Sequence, residues 1–287
     1  MPQAYGQKGG PVSGPSRTCR IWVGTSGYSY TQWVQTGFYP PEAKPGRMLS
    51  LYAQRFPATE LNQTWYQTPQ AETMERQRRQ VPPSFLFTAK LFRGLTQDPL
   101  TGPWRDRSLA YRDGLAPLIQ SGQLAAVLVQ LPPAFDRSVA NRRHLAALLD
   151  ELEGLPLAVE FRQGSWNTDR VFGELRRRGV TLVAVDEPDL PGLFPALDVI
   201  TNPDLFYVRF HGRNGRGWRR GGQEVQFDYE YSEAELREWV EKRILKMAVR
   251  SGRGVVFFNN HVRGQAPRNA LTFARLLKEY GLAVVTP

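Results

Sequence analysis

Eight short apolar runs, each ending in a polar or charged cluster, are spaced along this 287-residue chain. A strand that is buried on both faces reads as a continuous apolar run, because helices cover it on each side. Helix-like segments separate most of these runs, and eight strand–helix units predict a TIM-like (β/α)8 parallel barrel, an α/β fold, in a single domain. The runs span 21–26, 59–64, 85–90, 125–130, 157–162, 181–187, 206–211 and 255–261.

The segments between the runs carry helix signals of different strength. Apolar residues recur on one stripe of 138–153, which predicts an amphipathic helix, and the charged segment 70–81 predicts an exposed one. Ser232 and Glu235 have the spacing of a capping box, which predicts the start of a helix. Segment 187–204 is rich in proline and has no clear full helix, so the repeat is weakest there.

The composition of the chain limits the class of protein that it can be. Residues 1–18 are polar, rich in Gly, Pro and Ser, and lack an apolar core, so we expect a disordered extension before a barrel domain at 19–287. No 18-residue apolar stretch predicts a membrane span. The single cysteine, Cys19, excludes an internal disulfide framework, and we expect a cytoplasmic protein. The sequence leaves the oligomeric state open.

The chain is strongly basic, with a net charge of +10 and a pI of about 9.9. Positive charge attracts anionic partners over long distances, so DNA, RNA or a phosphorylated small molecule is the expected ligand. Solubility together with a compositional bias toward arginine explains the same charge, and this alternative stays open.

Parallel barrels place their sites at the carboxyl ends of the strands, and three carboxylates fall there: Glu60, Glu160 and Asp186. Neighbouring carboxylates act as acid and base when one pKa is raised, or they bind a divalent metal ion. The alternative is a set of fixed ion pairs with the basic residues at the same strand ends, because a buried charge needs a partner whether or not it is catalytic.

Lys90 ends an otherwise apolar run, where it can act as a base, a Schiff-base nucleophile or a phosphate ligand. The alternative is a lysine that extends into solvent. His211 and His261 end the last two runs and are candidate acid–base groups or metal ligands. His144, within the 138–153 helix, is expected at the surface.

The segment 209–222 contains five arginines and five glycines. Arginine binds phosphate through paired hydrogen bonds, glycine lets the backbone approach an anion, and tryptophan stacks on bases. We therefore expect Arg213, Arg216, Trp218 and Arg219 to contact an anionic substrate. A solvated basic loop without a set ligand is the alternative.

Several sequence motifs, taken together, resemble those of a known protein family. They include GTSGYSYTQW at 24–33, TELNQTWYQTP at 59–69, AVEFRQGSW at 158–166, YVRFHG at 207–212 and FFNNHVRGQAPRNA at 257–270. In this order the strings resemble the YecE-like family, domain of unknown function 72. The resemblance implies a TIM-like barrel distantly similar to xylose isomerase and apurinic-endonuclease barrels, and it brings no established reaction. The family's polar positions correspond here to Thr25, Ser26, Glu60, Asn62, Lys90, Glu160, Arg162, Arg209, His211 and Asn259.

The chain departs from the family pattern in three places. A Thr-His pair common in the family reads Thr96-Gln97 here, and an Arg-His pair reads Arg162-Gln163. The Arg- and Gly-rich insertion at 213–222 is longer than in the family. Fewer histidines argue against a site with several zinc ions.

Three functions follow as hypotheses. The first is an enzyme acting on a phosphate-containing substrate, hydrolase- or nuclease-like, in which the three carboxylates supply acid–base or metal-ligand groups and the cations stabilise negative charge. The second is a nucleic-acid-binding protein without catalysis. The third is a sugar or small-metabolite isomerase or lyase that uses Lys90 and the carboxylates for proton transfer, and this hypothesis predicts a deep, closed pocket rather than an open groove.

Overall fold

Eight parallel strands close into a barrel in the order β1 to β8, with β8 returning to β1. A computed structural model describes residues 18–96, 104–220 and 222–287, without the side chains of Arg220, Gln223 and Glu224. A short ninth strand, β9, pairs with the beginning of β1. The predicted (β/α)8 barrel is confirmed, whereas the predicted extension at 1–18 lies outside the described residues except for Thr18. The strands are β1 Arg20–Ser26, β2 Ala58–Leu61, β3 Leu86–Lys90, β4 Leu124–Gln130, β5 Leu157–Glu160, β6 Thr181–Asp186, β7 Phe206–Phe210, β8 Arg253–Phe258 and β9 Ala283–Val284.

Helices follow seven of the eight barrel strands, and residues 187–205 after β6 contain none. The expected weakness of the repeat at 187–204 is thus present in the fold. Among the described residues the α-helices are Gln32–Gln35, Pro45–Tyr52, Gln63–Tyr66, Ala71–Arg78, Arg93–Thr96, Trp104–Gln120, Val139–Glu151, Asp169–Arg177, Gly215–Arg220, Gln223–Gln226, Glu233–Trp239, Leu245–Ala248 and Gln265–Glu279. A π-helix at Val240–Ile244 and 3-10 turns at Gly164–Trp166 and Val262–Gly264 complete the set.

Several strands end earlier than their apolar runs. The run 59–64 predicted a strand to its end, but β2 stops at Leu61 and the chain turns into the Gln63–Tyr66 helix. The Thr64 hydroxyl lies 2.8 Å from the Leu61 carbonyl oxygen and 2.7 Å from that of Lys90, which fixes this turn against β3. Of the polar residues predicted at strand tips, Asn62, Arg162, His211 and Asn259 therefore lie in the loops that follow.

Local signals set the helix ends that the sequence predicted. The Ser138 hydroxyl accepts from the Asn141 backbone at the start of the Val139–Glu151 helix. The capping box of Ser232 and Glu235 is present, which confirms that prediction. The expected surface position of His144 is wrong, because this side chain is buried and packs beside Trp104 and Phe135.

Gly24 allows β1 and β2 to approach a buried tyrosine. A methyl group at Gly24 would lie 2.0 Å from the Ala58 carbonyl oxygen and 2.9 Å from the Tyr52 hydroxyl. That hydroxyl accepts from the Thr25 N–H at 2.8 Å and donates to the Ala58 carbonyl at 3.0 Å. The tyrosine thus joins the two strands directly below the mouth.

Replacing Gly24 with alanine is expected to lower the free energy of unfolding by about 2–3 kcal/mol, because the added methyl group overpacks the strand contact. Gly173→Ala is the control: this exposed position within the Asp169–Arg177 helix has no atom within 4 Å of the added carbon. The control is expected to gain about 0.5–1 kcal/mol. Urea denaturation measures the free energy of unfolding of both variants. Equal midpoints for the two would contradict the close contact between Gly24 and Ala58.

Among the residues that the structure describes, no helix has the length and apolar character needed to cross a membrane.

Candidate functional site

A cavity of about 590 Å³ opens at the carboxyl ends of the barrel strands, and we call it the mouth pocket. Its size falls within the range of small-molecule sites. Aromatic rings form much of its wall: Tyr28, Tyr30, Trp65, Tyr66, Trp218 and Phe227. Polar and small residues form the rest: Gly27, Ser29, Asn62, Gln63, Lys90, Gln130, Pro133, Arg162, Gln226, Asn259 and His261.

The lining has an unbalanced charge. Two cations, Lys90 and Arg162, face the pocket, and the described lining residues include neither aspartate nor glutamate. Carboxylates do lie at the strand ends, but they are buried below the pocket. The surface that faces a ligand therefore presents cations and, among the described lining residues, no carboxylate.

Arg209 fills the barrel directly beneath the pocket. Its guanidinium donates to Glu60 Oε1 and to Glu160 Oε2, both at 2.6 Å, and all three side chains are almost fully buried. Gln130 and the Ser26 hydroxyl accept further bonds at 3.1 and 3.2 Å. One arginine thus joins residues from β1, β2, β4 and β5.

The carboxyl group of Glu60 has a second partner. The Tyr207 hydroxyl donates to Glu60 Oε2 at 2.5 Å and also contacts Thr88 at 2.9 Å. Burial raises the pKa of Tyr207 well above its usual value, and the Glu60 charge acts in the same direction. Tyr207 therefore remains a neutral donor, and both oxygens of Glu60 are engaged.

Arg162 joins Glu160 to Glu187. Its Nε donates to Glu160 Oε1 at 2.5 Å and its Nη1 to Glu187 Oε2 at 3.0 Å. Burial would raise the pKa of Glu160, but Arg162 and Arg209 together hold it well below its usual value. Burial raises the pKa of Glu187 to about 7, although Arg162 opposes this shift. Glu160 is therefore a fixed anion, whereas Glu187 titrates near neutral pH.

His211 lies against the same arginine. Arg162 Nη2 is 3.0 Å from His211 Nε2, and Asn259 Nδ2 is 3.1 Å from His211 Nδ1. Burial lowers the pKa of His211 well below its usual value, and the Arg162 charge adds to the effect. The neutral imidazole accepts from Asn259 at Nδ1, and its Nε2 lies 3.3 Å from Glu160 Oε1, so His211 packs between Glu160, Arg162 and Asn259 at the floor of the pocket.

Lys90 differs from the arginines because its ammonium has no carboxylate partner. Within the described part of the chain no hydrogen bond or ion pair is formed by Nζ, which lies 5.0 Å from the centre of the Trp65 ring. Burial lowers the pKa of Lys90 to about 8, and the charge of Arg209 acts in the same direction, while Glu60 and Glu160 oppose it. A lysine of this kind is a candidate for acid–base or nucleophilic chemistry.

Asp186 is held in a separate group beside the barrel mouth. Its carboxylate accepts from Arg213 and from the Tyr231 hydroxyl, both at 2.6 Å, and from the indole N–H of Trp239. It does not line the mouth pocket. With three donors in place, Asp186 fixes the segment after β7 against the barrel.

The segment after β7 divides into two parts. Trp218 faces the mouth pocket and covers the Arg162 guanidinium, whose carbon is 5.2 Å from the centre of the Trp218 ring. Arg216 and Arg219 line a neighbouring shallow cavity of about 500 Å³ together with Arg213. The predicted anion-binding segment therefore presents its tryptophan to one cavity and its arginines to another.

The structure sorts the predicted site residues into three groups. Asn62, Lys90, Arg162, Trp218 and Asn259 line the mouth pocket. Ser26, Glu60, Glu160, Arg209 and His211 form the buried network that contacts its floor. Thr25, Asp186, Arg213, Arg216 and Arg219 lie outside the lining of the pocket. The roles predicted for these residues stay predictions.

Sequence reasoning missed two members of the network. Tyr207 precedes Arg209 by two residues on β7, and side chains two apart on a strand point to the same side, so this signal was present in the sequence. Glu187 directly follows Asp186 at the end of the sixth run, but no sequence pattern distinguishes which of two adjacent carboxylates turns toward Arg162.

The carboxylates do not form a metal site. Among the described residues no group of three or more His, Cys, Asp or Glu side chains is placed to hold a metal ion. Glu60 and Glu160 are bound to arginines, and Asp186 accepts from three donors. The positions of these three carboxylates do not fit the divalent metal ion for which the sequence made them candidate ligands.

Comparisons with known proteins agree with this fold. The model of the family "Protein of unknown function DUF72" matches residues 22–287. The UPF0759 protein YunF of Bacillus subtilis (strain 168) is 30% identical over 280 residues, which cover 92% of this chain and 97% of that protein. The crystal structure of a DUF72 family protein (TM1631) from Thermotoga maritima MSB8 aligns with a TM-score of 0.80 at 37% identity and covers 90% of this chain and 99% of that one. The DUF72 family protein EF0366 of Enterococcus faecalis V583 aligns with a TM-score of 0.79 at 28% identity, over 90% of this chain and 95% of that one.

Proposed function

This chain belongs to the DUF72 family of proteins of unknown function, and we propose that it is an enzyme acting on a small phosphate-bearing molecule bound in the mouth pocket. The observation that carries the proposal is the charge of the lining: two cations and, among its described residues, no carboxylate. An anionic group is the ligand that such a surface attracts.

The two cations have different roles in this proposal. Arg162 is held by Glu160, Glu187 and His211, so its guanidinium has a fixed position, and each of its two terminal nitrogens keeps one further N–H. A fixed guanidinium suits the binding of a phosphate oxygen, because little side-chain freedom is lost on binding. Lys90, which has no counterion among the described residues, is the group that gives or takes a proton.

The aromatic wall supports a ligand with a carbon skeleton rather than an inorganic ion. Trp65 and Tyr30 offer rings to the apolar face of a sugar or base, while Asn62, Gln130 and Asn259 offer amide groups to its hydroxyls. A cavity of about 590 Å³ accommodates a phosphorylated sugar or a nucleotide. The limited volume and the aromatic wall favour a small substrate over a long polymer. A small substrate also suits the isomerase or lyase chemistry predicted for Lys90.

Ribitol 5-phosphate is expected to bind this protein, and ribitol is expected to bind at least tenfold more weakly, because only the phosphate carries the negative charge that the pocket cations attract. Lys90→Met is expected to weaken ribitol 5-phosphate binding severalfold, since it removes a positive charge that attracts the phosphate across the pocket while Arg162 binds it. Isothermal titration calorimetry measures both dissociation constants.

Lys242→Met is the matched control, because Lys242 is exposed, pairs with Glu238 and does not line the pocket. This variant is expected to bind ribitol 5-phosphate as the unmodified protein does. Equal affinity for ribitol and its phosphate, or equal weakening by both lysine substitutions, would remove the mouth pocket as an anion site.

Nucleic-acid binding is the second candidate, and the shallow cavity lined by Arg216 and Arg219 favours it. A single-stranded oligonucleotide bound there would dissociate steeply with added salt, because phosphate contacts release counterions. Binding lost in the Arg216→Ala/Arg219→Ala variant and kept in Lys90→Met would support this candidate. The reverse pattern supports the pocket.

A further inference from the structure

The backbone that carries the Lys90 side chain is fixed from two sides. The Lys90 carbonyl oxygen accepts from the Thr64 hydroxyl at 2.7 Å and from the Tyr111 hydroxyl at 3.1 Å. Lys90 also pairs with Leu128 of β4, so the start of its side chain belongs to the barrel wall. A catalytic group on a rigid strand end is held more closely than one on a loop.

The amine at the other end of the side chain is available for reaction. Lys90 lines the mouth pocket, its Nζ lies 5.0 Å from the centre of the Trp65 ring, and no carboxylate among the described residues pairs with it. An ion-paired lysine would have to break that pair before it could lose its proton, whereas Lys90 has no such pair with any residue that the structure describes. Burial also lowers the pKa of this amine to about 8, which makes the neutral form accessible near physiological pH.

We propose that Lys90 is a covalent nucleophile that forms an iminium with the aldehyde or ketone carbon of a phosphorylated substrate in the mouth pocket. This inference rests on the proposed function and narrows its substrate class from phosphate-bearing molecules to phosphorylated carbonyl compounds.

The step balances without another reactant. The Lys90 nitrogen forms a bond to the carbonyl carbon, and the carbon–oxygen double bond is lost as that oxygen leaves as water. Starting from the ammonium form, two of its three protons leave with the oxygen and the third stays on the iminium nitrogen. The product carries one positive charge, as the ammonium did.

This conservation of charge matters in the pocket. The Trp65 ring, 5.0 Å from Lys90 Nζ, attracts a cation before and after the step. The Glu60 and Glu160 carboxylates below the pocket favour a positive charge on Lys90 in both states. The step therefore leaves the charge at this position unchanged.

Ribose 5-phosphate and ribitol 5-phosphate form a matched pair of probes, because only the sugar has a carbonyl group in its open form. We expect ribose 5-phosphate followed by sodium borohydride to leave a reduced adduct on Lys90, located by peptide mass spectrometry. Ribitol 5-phosphate should leave no adduct, and in excess it should protect Lys90 but leave labelling of exposed Lys242 unchanged. Lys90→Arg keeps the charge but removes the nucleophile, so no adduct should form at position 90, while labelling of exposed Lys242 should be unchanged.

The outcomes separate the two proposals. Ribitol 5-phosphate binding without an adduct on Lys90 would overturn the nucleophile and leave the anion pocket standing. Loss of both binding and adduct would overturn both. Equal labelling of Lys90 by ribose and by ribose 5-phosphate would overturn the phosphorylated substrate class.

Discussion

Replacing Arg209 with methionine is expected to lower the free energy of unfolding by about 3–5 kcal/mol, because it leaves two buried carboxylates without their shared cation. Glu60 and Glu160 are each 0% exposed, and Arg209 is 1% exposed, so water cannot replace the lost partner. Guanidinium chloride denaturation at pH 7 measures the change.

Two further variants test the cause of that loss. Arg209→Met combined with Glu60→Gln and Glu160→Gln removes the stranded charges and is expected to recover part of the stability. Arg79→Met, which removes an exposed pair with Glu75, is expected to cost less than about 1 kcal/mol. An Arg209→Met variant that is as stable as Arg79→Met would show that the buried pairs do not hold the barrel together.

The Lys90 amine is expected to titrate with a midpoint near pH 8, well below the 10.5 of an ordinary lysine, because burial penalises its charge. NMR of the protein labelled at the lysine side chains follows this midpoint directly. Lys90→Met identifies the signal, and its disappearance in that variant confirms the assignment. A midpoint near 10.5 for the assigned signal would count against a desolvated amine.

The same shift has a defined effect on stability. Because the folded pKa lies below the unfolded one, the unfolded chain binds more protons between pH 8 and 10.5, and stability from this group rises with pH across that window. Below pH 8 the charged form destabilises the fold by an amount on the order of 3 kcal/mol. Lys90→Met should therefore be more stable than the unmodified protein at pH 7, and the difference should shrink above pH 8.

In the part of the chain that the structure describes, charges at the barrel mouth are paired in the buried network but not all paired in the pocket above it. Below the floor, Glu60 and Glu160 offset the charges of Arg209 and Arg162. At the floor, Lys90 is left without such a partner among the described residues. The carboxylates thus stabilise the arginines without reaching the pocket, and the ligand meets a positive surface.

Much of this site followed from the sequence. The eight apolar runs placed Glu60, Lys90, Glu160 and Arg209 at strand ends, and parallel strands of a closed barrel bring their carboxyl ends to one rim. Periodicity of two along β7 also places Tyr207 on the side of Arg209, but the sequence analysis did not use this signal. The strand ends were wrong by up to three residues, because apolar character continues into loops that turn under tertiary contacts such as those of Thr64.

The sequence by itself determined the barrel and the rim at which the polar residues meet, because burial of each strand between helices imposes its apolar pattern on neighbouring residues. Only the tertiary structure decided which charges are paired. Arg209 binds Glu60 across 149 residues of chain, while Lys90, equally placed at a strand end, receives no carboxylate among the described residues. Pairing depends on distances of a few ångströms between strands that are remote in sequence, and no local pattern along the chain contains that information.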